Sequence, residues 1–219
     1  MILNQFKPVV IALVSAGFAV AGSVAQAGVV NGSLTGPISN GGVPPGWSVL
    51  TGSPDTMDAN NNVGVSGLLD FGAAPSATPD GGTWVGIGAG VGFIETFGQT
   101  VGGLTAGTTY TIAWYAGNFG YSPGTFGYIN PNAINALVNG VSVGTGATLS
   151  LGSNWFLETA TFTAISSSAN LEFQLATDAR SYMSIDGISV TAVPEPETYV
   201  LMLGGLAVLG TAFRRRKAV

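Results

Sequence analysis

The chain has 219 residues, a formal net charge of −5 and only 8% charged residues. It contains no histidine, which excludes Ser-His-Asp and Cys-His nucleophilic systems and metal sites built on imidazole. It also contains no cysteine, so the protein must fold without disulfide bonds.

The first 27 residues have the pattern of a secretory signal peptide. Lys7 precedes an apolar run over residues 9–21, and Ala25 and Ala27 form the small-residue pattern that signal peptidase cleaves. This run is too short to span a bilayer, which takes about 20 residues. A buried amphipathic helix is the alternative, but the run has no polar face. We therefore expect a signal peptide helix, export, signal peptidase as a partner, and Gly28 as the first mature residue.

The body of the chain, residues 28–192, is strongly acidic. It holds nine Asp and Glu residues against a single base, Arg180. Such a surface repels phosphate groups, because it has no cations to replace the counterions of a nucleic acid. Nucleic-acid binding is therefore excluded.

Short runs of β-forming residues alternate with Gly, Asn, Pro and Ser along the body. Residues 109–116 place Trp114 and its even-numbered neighbours on one face, and residues 170–177 alternate in the same way. Asn139 and Gly140 form a typical hairpin turn. This pattern predicts one all-β domain, an antiparallel β-sandwich.

Two stretches carry finer information. In "MSIDGISV" the apolar residues change from odd to even positions across Asp186 and Gly187, which predicts a β-bulge; a loosely packed strand is the alternative. In "GIGAGVG", residues 86–92, glycine occupies every second position. This spacing does not fit a phosphate-binding loop, so it predicts either a flat strand or a strand that another group approaches closely.

Three segments resemble the galactose-binding-like jelly rolls that include many carbohydrate-binding modules. They are "VVNGSLTG" with "PPGWSVLTGSPD", "QTVGGLTAGTTYTIAWYAG", and "NWFLETATFTA" through "SIDGISVTAV". The resemblance implies a jelly-roll topology and a structural calcium ion near the closing strand. Of the acids that would hold this ion only Asp186 matches, because Thr35 and Gly187 stand at the other positions.

The segment "YAGNFGYSPGTFGYINPN" is rich in aromatic residues. Aromatic faces stack on the apolar faces of sugars, so this segment is a candidate glycan-binding loop. Its candidate residues are Tyr115, Phe119, Tyr121, Phe126 and Tyr128. The alternative is that these rings fold back to cover the core. The four tryptophans, at positions 47, 84, 114 and 155, are expected in the core.

Paired carboxylates are the remaining catalytic candidates. Glycoside hydrolysis needs two acids about 5–9.5 Å apart, and Asp55 with Asp58 or Asp178 with Asp186 are the nearest pairs in sequence. Neither pair lies in a recognisable motif, and acids in exposed loops are the ordinary interpretation. We therefore expect no catalytic residues and no enzyme activity.

The chain ends in three consecutive signals. Residues 193–198 form an extended linker with Pro194, Glu195 and Pro196, and residues 199–213 are uncharged and mostly apolar. As a transmembrane helix the second segment would be about 22 Å long, short for a bilayer core of about 30 Å. A buried helix of the domain is the alternative. Four cations follow and would stop transfer on the cytoplasmic side: Arg214, Arg215, Arg216 and Lys217.

This arrangement resembles the PEP-CTERM sorting signal, which is also labelled an ice-binding-protein C-terminal domain without implying ice binding. The resemblance implies recognition by an exosortase-type membrane enzyme. Together these features predict an exported protein of the cell envelope, outer surface or extracellular matrix. We expect a non-enzymatic protein associated with exopolysaccharide, either through glycan binding or as a structural matrix component. No cofactor is expected, and a structural calcium ion at Asp186 is the alternative that the resemblance leaves open.

Overall fold

A computed structural model describes residues 27–60, 70–122 and 127–194, together with Gly204 and Leu206. Within residues 27–194 the described part of the chain contains strands and no helix, as the pattern of short alternating runs predicts. The predicted signal peptide helix lies outside the described residues, except for Ala27. Of the predicted C-terminal helix only Gly204 and Leu206 are described, both in helical conformation. Within the described residues, no helix has the length and apolar character needed to cross a membrane.

The first of two antiparallel sheets has five strands. Their spatial order is β1-β5-β10-β7-β8. The strands are β1 (Ser48–Thr51), β5 (Thr96–Gly102), β7 (Ile134–Val138), β8 (Val141–Thr145) and β10 (Ser168–Leu175). The predicted turn at Asn139 and Gly140 joins β7 to β8, and both residues have positive φ, 52° and 75°.

The second sheet has six strands. Its order is β2-β3-β11-β6-β9, and β4 pairs with β3. The strands are β2 (Asp55–Met57), β3 (Trp84–Gly90), β4 (Phe93–Ile94), β6 (Thr109–Asn118), β9 (Ser153–Thr163) and β11 (Ser181–Ala192). Every pair is antiparallel, and sequence neighbours other than β2–β3, β3–β4 and β7–β8 are not paired with each other, so the two sheets form the predicted jelly-roll-like sandwich.

The main core lies between the sheets. Trp114 of β6 packs edge-on against Phe173 of β10, with ring centroids 5.7 Å apart. Phe97 of β5 stacks on the same ring at 5.8 Å, and Trp47 contacts both phenylalanines. The inward positions of β6 and β10 are those that the alternation predicts, because successive side chains of a strand point to opposite faces.

The predicted bulge in β11 is confirmed. Pairing with β6 shifts register between Asp186 and Ser189, and Gly187 has a φ of +60°. Met183 and Ile185 before the bulge belong to the main core, as Ile188 and Val190 do after it. The extra residue therefore keeps both halves of the strand packed on the same core.

A second apolar layer covers the outer face of the six-stranded sheet. We call it the outer aromatic layer: Met57, Trp84, Tyr121 and Tyr182, with Phe71, Tyr128 and Trp155 packed against them. The strand β3 is consequently buried on both faces, with Val85 and Ile87 in the main core. The glycines at alternate positions of β3 leave room for side chains of other strands to cover its outer face. A Cβ on Gly86 would lie 2.5 Å from the Tyr182 ring, so only glycine lets this ring lie against the strand.

We predict that Gly86→Ala destabilises the protein by about 1–3 kcal/mol, because the added methyl group would clash with Tyr182 and Met57. The matched control is Gly102→Ala in β5, where a Cβ would meet nothing within 4 Å. The control should be neutral or stabilise by up to about 1 kcal/mol. Urea unfolding measures both. Equal effects of the two substitutions would show that β3 is not closely approached.

Candidate functional site

A cavity of about 370 Å³ opens beside the outer aromatic layer, and Gly88 of β3 is part of its lining. We call it the β3 cavity. Four aromatic side chains line it: Phe93, Tyr121, Tyr128 and Tyr182. Phe93 is 43% exposed and lies 6.4 Å from the Tyr128 ring between centroids, whereas Tyr121 packs between Tyr128 and Tyr182. The cavity therefore has an apolar wall with an accessible edge.

The polar part of the cavity is dominated by two acids, Asp55 and Glu95. Asp55 lies on β2 opposite Gly86 and is 5% exposed. Its Oδ1 accepts a hydrogen bond from the Gly41 amide at 2.7 Å, and its Oδ2 accepts one from the Tyr182 hydroxyl at 2.5 Å. Burial raises the pKa of Asp55, and these two hydrogen bonds oppose the rise.

Glu95 lies between β4 and β5 and is 7% exposed. Its Oε2 accepts from the Gly88 amide at 2.7 Å, and its Oε1 accepts from the amide and hydroxyl of Ser53 at 3.2 and 3.1 Å. Burial raises the pKa of Glu95, these bonds lower it, and the charge of Asp55 adds to the rise. The two carboxyl groups therefore interact across one cavity.

Tyr182 connects the apolar and polar parts of the cavity. It lies on β11 opposite Gly88, and its ring covers the space above Gly86. Burial and the negative charges of Asp55 and Glu95 raise the pKa of this phenol well above 10. Its hydroxyl therefore keeps its proton and donates to Asp55.

The predicted aromatic loop contributes two residues to the cavity. Tyr121 and Tyr128 line it and pair through their backbones, with N···O distances of 3.2 and 2.6 Å. Phe119 is instead 2% exposed and packs against Trp84 and Trp155. Phe119 therefore packs inward as the alternative interpretation predicts, whereas Tyr121 and Tyr128 remain candidate ligand contacts.

The other loop candidates lie elsewhere. The ring of Tyr115 packs beside Gly187 at the bulge. Phe126 lies outside the described residues. Trp47, Trp84 and Trp114 are buried as expected, and Trp155 is partly buried against the outer aromatic layer.

The carboxylate pair of the cavity differs from the pairs that sequence proximity suggests. Asp58 is half-buried and accepts a hydrogen bond from the Asn60 amide in a turn, and Asp178 is exposed whereas Asp186 is fully buried. Asp55 is joined by Glu95, which lies far along the chain. Only strand pairing brings them together, because β2 and β4 both pair with β3. The sequence marks Glu95 as a candidate only by its position, because it is an acid that follows the glycine-rich strand in an otherwise uncharged stretch.

Asp186, the candidate calcium ligand, has no solvent exposure, and neither carboxyl oxygen makes a hydrogen bond of good geometry. Burial raises its pKa to about 7, and the Asp80 charge adds to the rise, whereas Thr78 and the amides of Gly187 and Asp80 lower it. Among the described residues no group of three or more acids is placed to hold a metal ion. Two carboxylates, those of Asp186 and Asp80, nevertheless lie near each other at the bulge.

The predicted sorting motif and cleavage positions lie at the edge of the described chain. Pro194 is described, whereas Glu195, Pro196, the cations at 214–217 and Ala25 lie outside the described residues. Ala27 donates its amide hydrogen to the Val190 carbonyl at 3.1 Å. Ala27, at the predicted cleavage position, thus pairs with β11 of the sandwich.

Residues 192–217 match the PEP-CTERM protein-sorting motif. The chain therefore carries a PEP-CTERM sorting domain at its C-terminal end. This motif indicates export, processing by an exosortase, and association with the membrane or cell envelope. A comparison with curated proteins gives no match.

Several solved structures resemble the body. The Stig cyclase Fisc from Fischerella sp. TAU, in complex with an indole compound, has a TM-score of 0.55 and 17% identity, over 78% of this chain and 99% of the cyclase. A second structure of a cyclase from Fischerella sp. TAU gives 0.56 and 18%, over 78% and 98%. A CBM4 carbohydrate-binding module gives 0.43 and 21%, over 75% and 99%. At these identities the likeness to the cyclases concerns the fold and not the chemistry.

We predict that Tyr182→Phe lowers the free energy of unfolding by about 1–3 kcal/mol at neutral pH, because buried Asp55 loses a donor. The pKa of Asp55 is already raised in the folded state, so stability falls as pH rises above the usual value of 3.8. Removing the hydroxyl raises this pKa further. The penalty should therefore be smaller near pH 4.5 than near pH 7.5.

Tyr110→Phe is the matched control, because the Tyr110 hydroxyl accepts from the neutral Thr105 amide at 2.9 Å. Its penalty should be the same at both pH values. Urea unfolding of both variants and of the unaltered protein at pH 4.5 and pH 7.5 measures these penalties. A Tyr182→Phe penalty that does not depend on pH would contradict a charged Asp55 as the acceptor.

Proposed function

We propose that this protein is an exported, non-enzymatic protein of the cell envelope or extracellular matrix that binds exopolysaccharide through the β3 cavity. The observation that carries the proposal is the combination of aromatic faces and hydrogen-bond acceptors in one cavity. Sugars present apolar faces of C–H groups and edges of hydroxyl groups. The rings of Phe93 and Tyr128 can stack on the C–H faces, and the carboxyl oxygens of Asp55 and Glu95 can accept hydrogen bonds from the hydroxyl groups.

The hydrogen bonds of the two acids favour binding over catalysis. Each of the four carboxyl oxygens already accepts a hydrogen bond from the protein. A general acid must present its proton to the scissile oxygen, and a nucleophile must present a free oxygen to the sugar carbon. These acids are held by Gly41, Ser53, Gly88 and Tyr182 instead. A glycoside hydrolase is therefore the weaker candidate.

A structural matrix component without a ligand site is the competing function. Such a protein would be expected to fill its surface depressions with its own side chains. The β3 cavity instead keeps an open volume beside an exposed aromatic ring, Phe93. This difference favours a ligand.

The experiment is binding of the exported protein, purified from producing cells, to their own exopolysaccharide and to a panel of neutral oligosaccharides. We expect saturable binding that Tyr128→Ala weakens about threefold to tenfold, the worth of one aromatic contact of about 0.5–1.5 kcal/mol. The matched control is Phe156→Ala, since Phe156 is 52% exposed on β9 and does not line the cavity. Release of reducing sugar during incubation would replace this function with hydrolysis. Binding that Tyr128→Ala and Phe156→Ala leave equally strong would contradict the β3 cavity as the site, and no binding by the unaltered protein would leave the structural role.

We also propose that Asp186 and Asp80 hold a calcium ion together with neutral oxygens such as the Thr78 hydroxyl. Support comes from the two buried, unpartnered oxygens of Asp186 and from the Asp80 charge beside them. An ion that binds only the folded state stabilises it by mass action.

We predict that millimolar calcium raises the thermal unfolding midpoint of the unaltered protein relative to a sample in EDTA. The rise should disappear in Asp186→Asn and persist in the control Asp178→Asn, since Asp178 is exposed. Calorimetry measures the midpoints. A rise that survives Asp186→Asn, or no rise at all, would refute the ion at this position.

A further inference from the structure

The β3 cavity contains negative charge, and the described residues that line it carry no positive charge. The acids Asp55 and Glu95 line it, and no Lys or Arg is among the described residues that do so. Both acids are almost fully buried, so water screens their charges less than it screens charges on the surface. A cationic group that entered the cavity would therefore be attracted electrostatically by both carboxylates at once.

Hydrogen bonding in the cavity also favours a ligand that brings donors. The Gly41 and Gly88 amides, the Ser53 amide and hydroxyl, and the Tyr182 hydroxyl all donate to the two acids. Ionised carboxylates can accept further bonds but cannot donate any. A ligand rich in N–H groups satisfies the remaining acceptor positions, whereas an anionic sugar meets only repulsion.

The aromatic wall offers a second attraction for a cation. One face of the Tyr128 ring is already covered by a cation, because the Arg180 guanidinium carbon lies 5.3 Å from its centroid, so the exposed Phe93 ring is the aromatic partner left for a ligand's ammonium group. The faces of Phe93 and Tyr121 belong to the same wall. Aromatic faces and carboxylates together are the usual combination for recognising ammonium groups. The acidic body, with nine acids and one base, would attract such a ligand from a distance.

We propose that the β3 cavity selects amino sugars with a free, protonated amine over N-acetylated, neutral and acidic sugars. The amine would lie between Asp55 and Glu95, and the apolar face of its ring against Tyr128 or Phe93. This inference rests on the proposed glycan binding and adds the chemical class of the sugar. A sugar ring with one amine fits both the aromatic and the acidic part, whereas the amine of a lysine side chain has no ring to place on the aromatic wall.

The test uses three disaccharides that share one backbone and differ only at the second carbon: the diamine of chitobiose, its N-acetylated form and cellobiose. Disaccharides avoid the unspecific attraction of a long polycation to an acidic protein. Titration calorimetry or ligand-observed NMR at neutral pH measures each affinity with the exported protein. We expect the diamine to bind at least about tenfold more tightly than the other two, the effect of one well-placed charge pair of about 1.4 kcal/mol.

Two variants that each remove one negative charge distinguish attraction by the acids of the cavity from attraction by the net charge of the protein. Glu95→Gln should remove most of the preference for the diamine. Glu172→Gln removes the same charge from β10 of the other sheet and should leave the preference unchanged. Thermal unfolding checks that each variant is folded, and the disaccharide series on the unaltered protein needs neither variant.

The outcomes distinguish this inference from the function on which it rests. Equal, Tyr128-dependent binding of all three disaccharides would overturn the amine preference and leave glycan binding intact. A preference that both variants weaken equally would be attraction by net charge, which also overturns it. Binding of a lysine-containing peptide as tight as that of the diamine would replace the sugar with a peptide. Binding of no disaccharide and no exopolysaccharide would overturn both proposals.

Discussion

The contact between the Tyr182 ring and the glycines of β3 determines how the outer face of the sandwich is built. Because Gly86 and Gly88 have no side chains, the ring lies against the strand, and its hydroxyl reaches Asp55 on the neighbouring strand. The Gly88 amide donates to Glu95, which lies along the same edge of β3 as Asp55, because β2 and β4 both pair with that edge. The Tyr182 ring and the glycines of β3 thus lie together with two acids and the aromatic wall around the same cavity.

The two faces of the six-stranded sheet have different roles. Its inner face completes a core of tightly packed aromatic rings, which supplies the stability that a disulfide-free exported domain needs. The outer face is only partly filled, and its polar groups are held in place by internal hydrogen bonds. A rigid scaffold with a prearranged surface loses little conformational entropy when a ligand binds.

Local sequence patterns predicted the parts of the structure that depend on local rules. Alternation predicted the inward face of β6, the change of phase at Asp186 predicted the bulge, and Asn139-Gly140 predicted a hairpin. The partnership of Asp55 with Glu95 depends on which strands pair with β3, and no local pattern contains that information. Likewise, the spacing of aromatic residues could not separate buried Phe119 from Tyr128 at the cavity, because that difference depends on tertiary packing.

The most direct test of the account locates a bound glycan on the molecule. In an NMR titration of the ¹⁵N-labelled exported protein, the amides of Gly41, Ser53 and Gly88 report on the two acids, because each donates to one of them. A sugar in the β3 cavity should shift these three signals in proportion to its occupancy. Saturable binding that leaves them unmoved, with shifts on β9 around Phe156 instead, would contradict the cavity as the binding site.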